Sequence, residues 1–188
     1  MRPSILDRVE AEGYRTFERG LWNLNLVGVR TSSRQSGAFD DAFHAVFKDG
    51  LGQWVDLAFE CTTDPGTYYL NSPLRVSGTA ILAPGQYRSA YQLGLHRGQY
   101  EALVQRAPVK VFRDSNRDET LDMLPGTLEE GMFGINIHKS GRESVVVGRW
   151  SAGCTVLANK SAFDVLMAVA RRSAEIWGNS FTYTLLED

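Results

Sequence analysis

Gly134 to Cys154, GINIHKSGRESVVVGRWSAGC, is the stretch on which the reading of this chain turns, because it sets a histidine and a cysteine in strand-like sequence. Gly134 to His138 reads as a short buried strand ending at the histidine. Ser144 to Trp150, SVVVGRW, reads as a second strand ending at a small-residue turn that carries the cysteine. Pairing the two as a hairpin through the polar Lys139 to Glu143 connection leaves His138 near the connection and Cys154 beyond the opposite end. The turn after Trp150, or a crossing of the sheet, then has to bring them together.

The two side chains suit one chemistry. A thiol is a weak nucleophile at neutral pH until a base or a positive charge raises its thiolate fraction, and imidazole is the side chain best matched to that task. Cys154 is therefore the candidate nucleophile and His138 its candidate base. Ser151-Ala152-Gly153-Cys154 reads as a loop in which Gly153 adopts a positive φ and lets the backbone approach a substrate, so that successive N–H groups converge on an oxyanion. The helix expected from Asn159 to Trp177 begins too late for its N-terminus to serve the thiol. The plainer reading is a buried small hydrophobe beside a hydrogen-bonded histidine.

Outward from this stretch the chain is mostly β. Trp22 to Arg30 alternates as a strand does, and Phe43 to Lys48 and Trp54 to Cys61 flank Asp49-Gly50-Leu51-Gly52 as a hairpin. Val76 to Leu82 and Phe181 to Leu186 read as further strands, and Tyr100 to Gln105 and Val109 to Arg113 as short strands or a helical turn. Arg2 to Arg19 carries Ile5, Val9, Tyr14 and Phe17 at near-helical spacing. The expected fold class is mainly β (α+β), with an N-terminal helical segment over residues 1–20, the remaining domain over 21–188, and a C-terminal helix packed on the sheet through Phe163, Leu166, Met167, Ala170 and Trp177.

Composition narrows the function. The chain has 188 residues and a net charge of −2, which gives no global attraction to nucleic acid or to an anionic membrane. Its two cysteines, Cys61 and Cys154, make no disulfide framework and no zinc spacing; no cofactor or metal is expected. The charged first twenty residues do not read as a secretory signal, and no run is long enough to span a bilayer, so synthesis in the cytoplasm is expected. Asp114-Ser115-Asn116-Arg117-Asp118 and Asp122 alternate oxygen ligands as calcium loops do, but Glu119 and Pro125 stand where glycine and a bidentate glutamate belong, and a solvated acidic turn fits better. His96 and Arg97, between Gly94 and Gly98, read as a bent turn able to reach a substrate carboxylate.

With those residues in view, the chain resembles the L,D-transpeptidase catalytic domain (YkuD-like) family, whose signature is a histidine followed by a serine-x-glycine-cysteine element. The matching residues are His138, Ser151, Gly153 and Cys154. The resemblance implies a YkuD-like β-rich domain in which Cys154 attacks a peptide carbonyl of the peptidoglycan stem and His138 moves the proton. It further implies that Ser151 orients the histidine and that the Gly153 and Cys154 N–H groups face the oxyanion. Lys139 replaces the family's glycine after the histidine, and Val156 its arginine two positions after the cysteine; Arg149 is the candidate substitute charge. Pro84-Gly85-Gln86-Tyr87 echoes a proline-glycine-x-aromatic element upstream and brings Tyr87 into the expected substrate site. The implied partner is a peptidoglycan stem peptide, met in the periplasm or cell wall after release by a phage lysis system or delivery by a virion or contractile injection particle. The alternative is a structural or wall-binding component of such a particle without turnover.

Overall fold

The computed structural model describes residues 1–141 and 144–188. Along them run α1 (Ile5–Ala11), β1 (Asn25–Arg30), β2 (Asp41–Lys48), β3 (Trp54–Thr62), α2 (Thr67–Asn71), β4 (Thr79–Leu82), β5 (Gly85–His96), β6 (Tyr100–Gln105), β7 (Val109–Asp114), β8 (Glu129–Gly131), β9 (Ile137–Lys139), β10 (Thr155–Leu157), α3 (Lys160–Trp177) and β11 (Phe181–Glu187). The chain is mainly β, with 38% strand and 18% helix, as the alternating sequence predicts.

Eight strands close into a barrel in the order β1-β11-β5-β6-β9-β10-β3-β2, and β4-β7-β8 form a separate three-stranded sheet. The β2–β3 hairpin forms where the sequence places it. The Asp49 carboxylate accepts the N–H groups of Leu51 and Gln53, each at 2.9 Å, and fixes the connection between the strands. Inside the barrel Tyr183 stacks on Phe43 and meets Tyr91 edge-on. Gly28 is needed here, since a Cβ on it would fall 2.1 Å from the Tyr183 hydroxyl.

β1 is buried along its whole length because both its faces are covered. Leu26 joins the interior cluster, while Val27 and Val29 pack with Ile5, Leu6 and Val9 of α1. The N-terminal helix is shorter than the expected Arg2 to Arg19: it ends at Ala11, and Gly13 follows at φ +77°. At the other end Asn159 caps α3, its side chain accepting the N–H groups of Ser161 and Ala162. Phe163, Leu166, Met167 and Ala170 enter the barrel's core cluster, but Trp177, expected on the same stripe, is half exposed and donates its indole N–H to Leu21 O.

Four strand expectations fail in whole or in part: Trp22 to Arg30 is strand only from Asn25, and Gly134 to His138 is strand only over Ile137–Lys139. Val76 to Leu82 is strand only from Thr79, since Gly78 takes φ +103° against the Asp114 carbonyl. Ser144 to Trp150 is not a strand: Val145 and Val146 are 92% and 66% exposed, and Trp150 N–H turns back to Val147 O. The place beside β9 belongs to β10, so the anticipated hairpin does not form. Arg142 and Glu143 of its expected connection lie outside the described residues. The Asp114–Asp122 loop is an acidic turn closed on its own hydrogen bonds, with the Asn116 amide donating to Asp118 and Asp122 at 2.8 and 2.7 Å.

Candidate functional site

β9 and β10 are three residues each and pair in parallel, with Ile137 opposite Thr155 and His138 opposite Val156. Cys154 precedes β10 and so falls across from Asn136, an arrangement tied by Thr155 N–H to Asn136 O at 3.0 Å. Strand side chains alternate between faces, so Cys154 emerges on the same face as Asn136 and His138, two residues along and one strand over. By strand spacing the Cα atoms of Cys154 and His138 lie about 8 Å apart. Parallel pairing thus sets the two on one face of adjacent strands, where the expected hairpin left them at opposite ends.

The loop before the thiol is built for shape. Gly153 takes φ +116°, and a Cβ there would fall 2.4 Å from the Ala80 carbonyl oxygen. The close approach that glycine permits is therefore to β4, not to a substrate. Ser151 does not orient the histidine as expected. Its Oγ donates to Cys154 O at 2.8 Å and accepts the Gly153 N–H at 3.1 Å, which also occupies one of the two expected oxyanion donors.

Around the thiol the polar groups have defined roles. Cys154 Sγ donates to Gly134 O and accepts the Asn136 N–H, both at 3.4 Å; neither bond involves His138. Burial pushes the thiol pKa up, against the Asn136 N–H and the charge of Arg97, which pull it down. His138 Nδ1 donates to Lys139 O at 2.9 Å, and because a carbonyl only accepts, Nδ1 carries the proton and Nε2 holds the lone pair. Burial, and then the neighbouring His96, lower the His138 pKa to about 3. The resting pair is a neutral thiol and a neutral imidazole.

His96 belongs to the same cluster. Its ring lies 4.2 Å from that of His138, centroid to centroid, and its Nδ1 accepts from Asn136 Nδ2 at 3.0 Å. Asn136 is oriented by Gln105 N–H, which donates to its Oδ1 at 2.9 Å and so turns the amide nitrogen toward His96. Gln105 also clamps the strand approach. Its Oε1 accepts three consecutive N–H groups, from Phe133, Gly134 and Ile135, at 3.1, 2.9 and 3.0 Å. Arg97 and Gly98, at φ +50° and +71°, form a tight turn closed by Gln99 N–H to His96 O, which is the bend the flanking glycines suggest.

A cavity of about 300 Å³ opens at the thiol. Cys154, His96, Arg97 and Asn136 line it together with Arg75 and Arg113. Of the residues expected at the substrate, His96 and Arg97 line this cavity. Arg149 is not: its guanidinium stacks 3.8 Å above the Tyr68 ring, outside this cavity. Tyr87 faces a different hollow, beside Tyr14 and Lys110, with its hydroxyl bonded to Ala83 O. Val156 is fully buried in β10, so the family's arginine position points into protein here.

Sequence reading missed Asn136, Gln105, Arg75 and Arg113. Only Arg113 had a signal: Val109, Val111 and Arg113 share one face of β7, and an arginine in register with two buried valines is a charge placed inward. The fold and site define a closed β-barrel bearing a buried cysteine–histidine cluster at a cationic cavity. Comparison with known proteins found no matching family model, curated protein or solved structure.

Proposed function

We propose that this protein is a cysteine peptidase of peptidoglycan stem peptides, an L,D-carboxypeptidase or endopeptidase, with L,D-transpeptidation the other fate of the same acyl-enzyme. The observation that carries the reading is the β9–β10 pairing, which sets Cys154 and His138 on one face of adjacent strands, with Cys154 lining a cationic cavity. The resemblance of His138, Ser151, Gly153 and Cys154 to the YkuD-like signature supplies the substrate class.

In this mechanism Sγ rotates its proton from Gly134 O to His138 Nε2 as it bonds to the peptide carbonyl carbon. The carbonyl oxygen becomes an oxyanion facing the Cys154 N–H. Collapse breaks the C–N bond, the imidazolium returns its proton to the departing amine, and a thioester remains on Cys154. Water then adds with His138 as base, and the C–S bond breaks to give a free carboxylate and the thiol. An amine in place of water gives transpeptidation. Val156, where the family carries an arginine, favours hydrolysis.

Among the described residues no helix is long and apolar enough to cross a membrane. In this reading the protein reaches the wall by release or delivery, as in phage lysis or a contractile injection particle. The test is digestion of purified peptidoglycan and isolated muropeptides by the wild type and by Cys154→Ala, read by mass spectrometry. Shortened stems or split cross-links that vanish in the variant support hydrolysis, and new dimers support transpeptidation. The thiol's two backbone hydrogen bonds and raised pKa favour a second reading, a wall-binding component without turnover. Unchanged muropeptides with both proteins would select it.

A further inference from the structure

Arg113 carries a donor that the fold does not use. Its side chain is 6% exposed, its Nε bonds Glu129 Oε2 at 2.9 Å, and its Nη1 reaches Gly78 O at 3.4 Å. The guanidinium also lies over the Phe133 ring, 4.7 Å from its centroid. Nη2 is buried and, among the described residues, has no hydrogen-bond partner. A buried guanidinium nitrogen left unpaired is unfavourable by itself, so folded proteins rarely keep one without a use for it.

The residue lines the Cys154 cavity, and two more guanidinium groups, Arg75 and Arg97, line it too. Arg97 is held there by a strained backbone. It takes φ +50° as the first central residue of the β5–β6 turn, a position that glycine or asparagine fills at lower cost. Phe133, Ile135 and Trp150 supply apolar walls beside the cations. A cavity of about 300 Å³ holds one or two amino-acid residues, not a long polymer.

We propose that Arg113, with Arg97 and Arg75, forms a carboxylate-binding subsite that reads the free C-terminal end of a short peptide, with the terminal side chain against Phe133 and Trp150. Guanidinium matches carboxylate geometry and binds it through paired N–H donors. The inference rests on the peptidase reading and narrows it to an exopeptidase, which removes residues next to a free carboxylate. It replaces Arg149 as the source of substrate-binding charge.

The experiment measures binding, separately from turnover. Full-length Cys154→Ala protein is titrated by NMR with an N-acetylated alanyl dipeptide bearing a free C-terminal carboxylate and with the same dipeptide as its C-terminal amide. The carboxylate should bind at least tenfold more tightly than the amide. Adding Arg113→Gln should erase that difference. Should Arg113→Gln fail to fold once Glu129 loses its partner, Arg97→Asn serves in its place: asparagine relieves the turn, so the melting temperature should hold or rise while carboxylate affinity falls several-fold. Equal affinity for the two peptides, no binding of either, or discrimination retained in folded Arg113→Gln or in Arg97→Asn would overturn the subsite. Carboxylate discrimination in a protein that leaves muropeptides unchanged would uphold the subsite and reject the peptidase reading.

Discussion

Two buried polar clusters sit in this protein, and they are built on opposite terms. The first joins Arg30, Asp41, Thr63 and Asp64. Arg30 is fully buried; its Nε faces Thr63 Oγ1 at 3.0 Å and Asp64 Oδ1 at 2.8 Å, and Nη2 donates to Thr63 O at 3.1 Å. Asp41 accepts the N–H and hydroxyl of Thr63 and the N–H of Thr31. The second cluster, around Cys154, sets a thiol and the Arg113 side chain, with its unpartnered guanidinium nitrogen, in the lining of a cavity, and leaves the lone pair of His138 Nε2 free of the Lys139 bond behind it. One cluster turns its polarity inward and locks strands together, while the other keeps groups available. Burial does not by itself mark function, and neither does an unpaired atom, since Tyr91 keeps one in the core; Arg113 differs in lining a cavity.

The largest expected effect breaks the closed cluster. Burial outweighs the pull of Arg30 and holds the Asp64 carboxyl at about 6, so the pair is a poor source of net stability but a hard one to halve. Arg30→Ala should lower unfolding free energy by about 3–5 kcal/mol, read as an earlier urea midpoint. Cys154→Ala should move stability by less than about 1 kcal/mol while abolishing turnover. Equal destabilisation by the two would make the Cys154 cluster a second structural lock. Next in size, His138→Ala should reduce turnover by about 10²–10⁴-fold with KM little changed. Gly153→Ala follows, because it must force an alanine to φ +116° against Ala80 O. A loss of about 1–3 kcal/mol is expected from the backbone strain, with turnover falling as the thiol shifts.

How much of this was legible in sequence follows from what each feature depends on. The β2–β3 hairpin, β11 and α3 are written in local terms, by alternation, an aspartate turn and an asparagine cap, and all three appear where the sequence puts them. His138 and Cys154 were readable as a pair, but their placement on one face of adjacent strands was not. It arises from a parallel pairing of two three-residue strands, too short to carry a period, while the apolar run Val145 to Val147 imitates a strand and ends in a turn. Asn136 and Gln105 act through contacts far apart in the chain, which no local pattern announces. Ser151 was found but misassigned, since a hydroxyl next to a nucleophile bonds its own loop as readily as it bonds a histidine.

Titration offers a sharper contrast between the open cluster and an ordinary thiolate pair. Because burial raises the Cys154 pKa above its ordinary 9.0, the thiolate fraction at pH 7 stays below about 1%. Iodoacetamide labelling of Cys154 should therefore climb about tenfold from pH 7 to 8 and keep rising to pH 9. His138, lowered to about 3, is neutral throughout that range and adds no inflection near 6.5. A rate that is already high and flat between pH 6 and 7 would mean a thiolate–imidazolium pair, and the burial argument would fail.

The smallest effect tests the boundary between the site and the rest of the barrel. The family echo drew Tyr87 into the substrate site, yet the folded chain turns its hydroxyl onto the carbonyls of Ala83 and, at 3.2 Å, Lys110, away from the cavity that Cys154 lines. Tyr87→Phe removes one buried hydroxyl and its bonds, a loss of about 0.5–1.5 kcal/mol seen as a lower melting temperature. Its kcat and KM on muropeptides should equal those of the wild type. A raised KM would instead join the Tyr87 hollow to the Cys154 cavity as one binding surface, and the open region would extend across the barrel to β5.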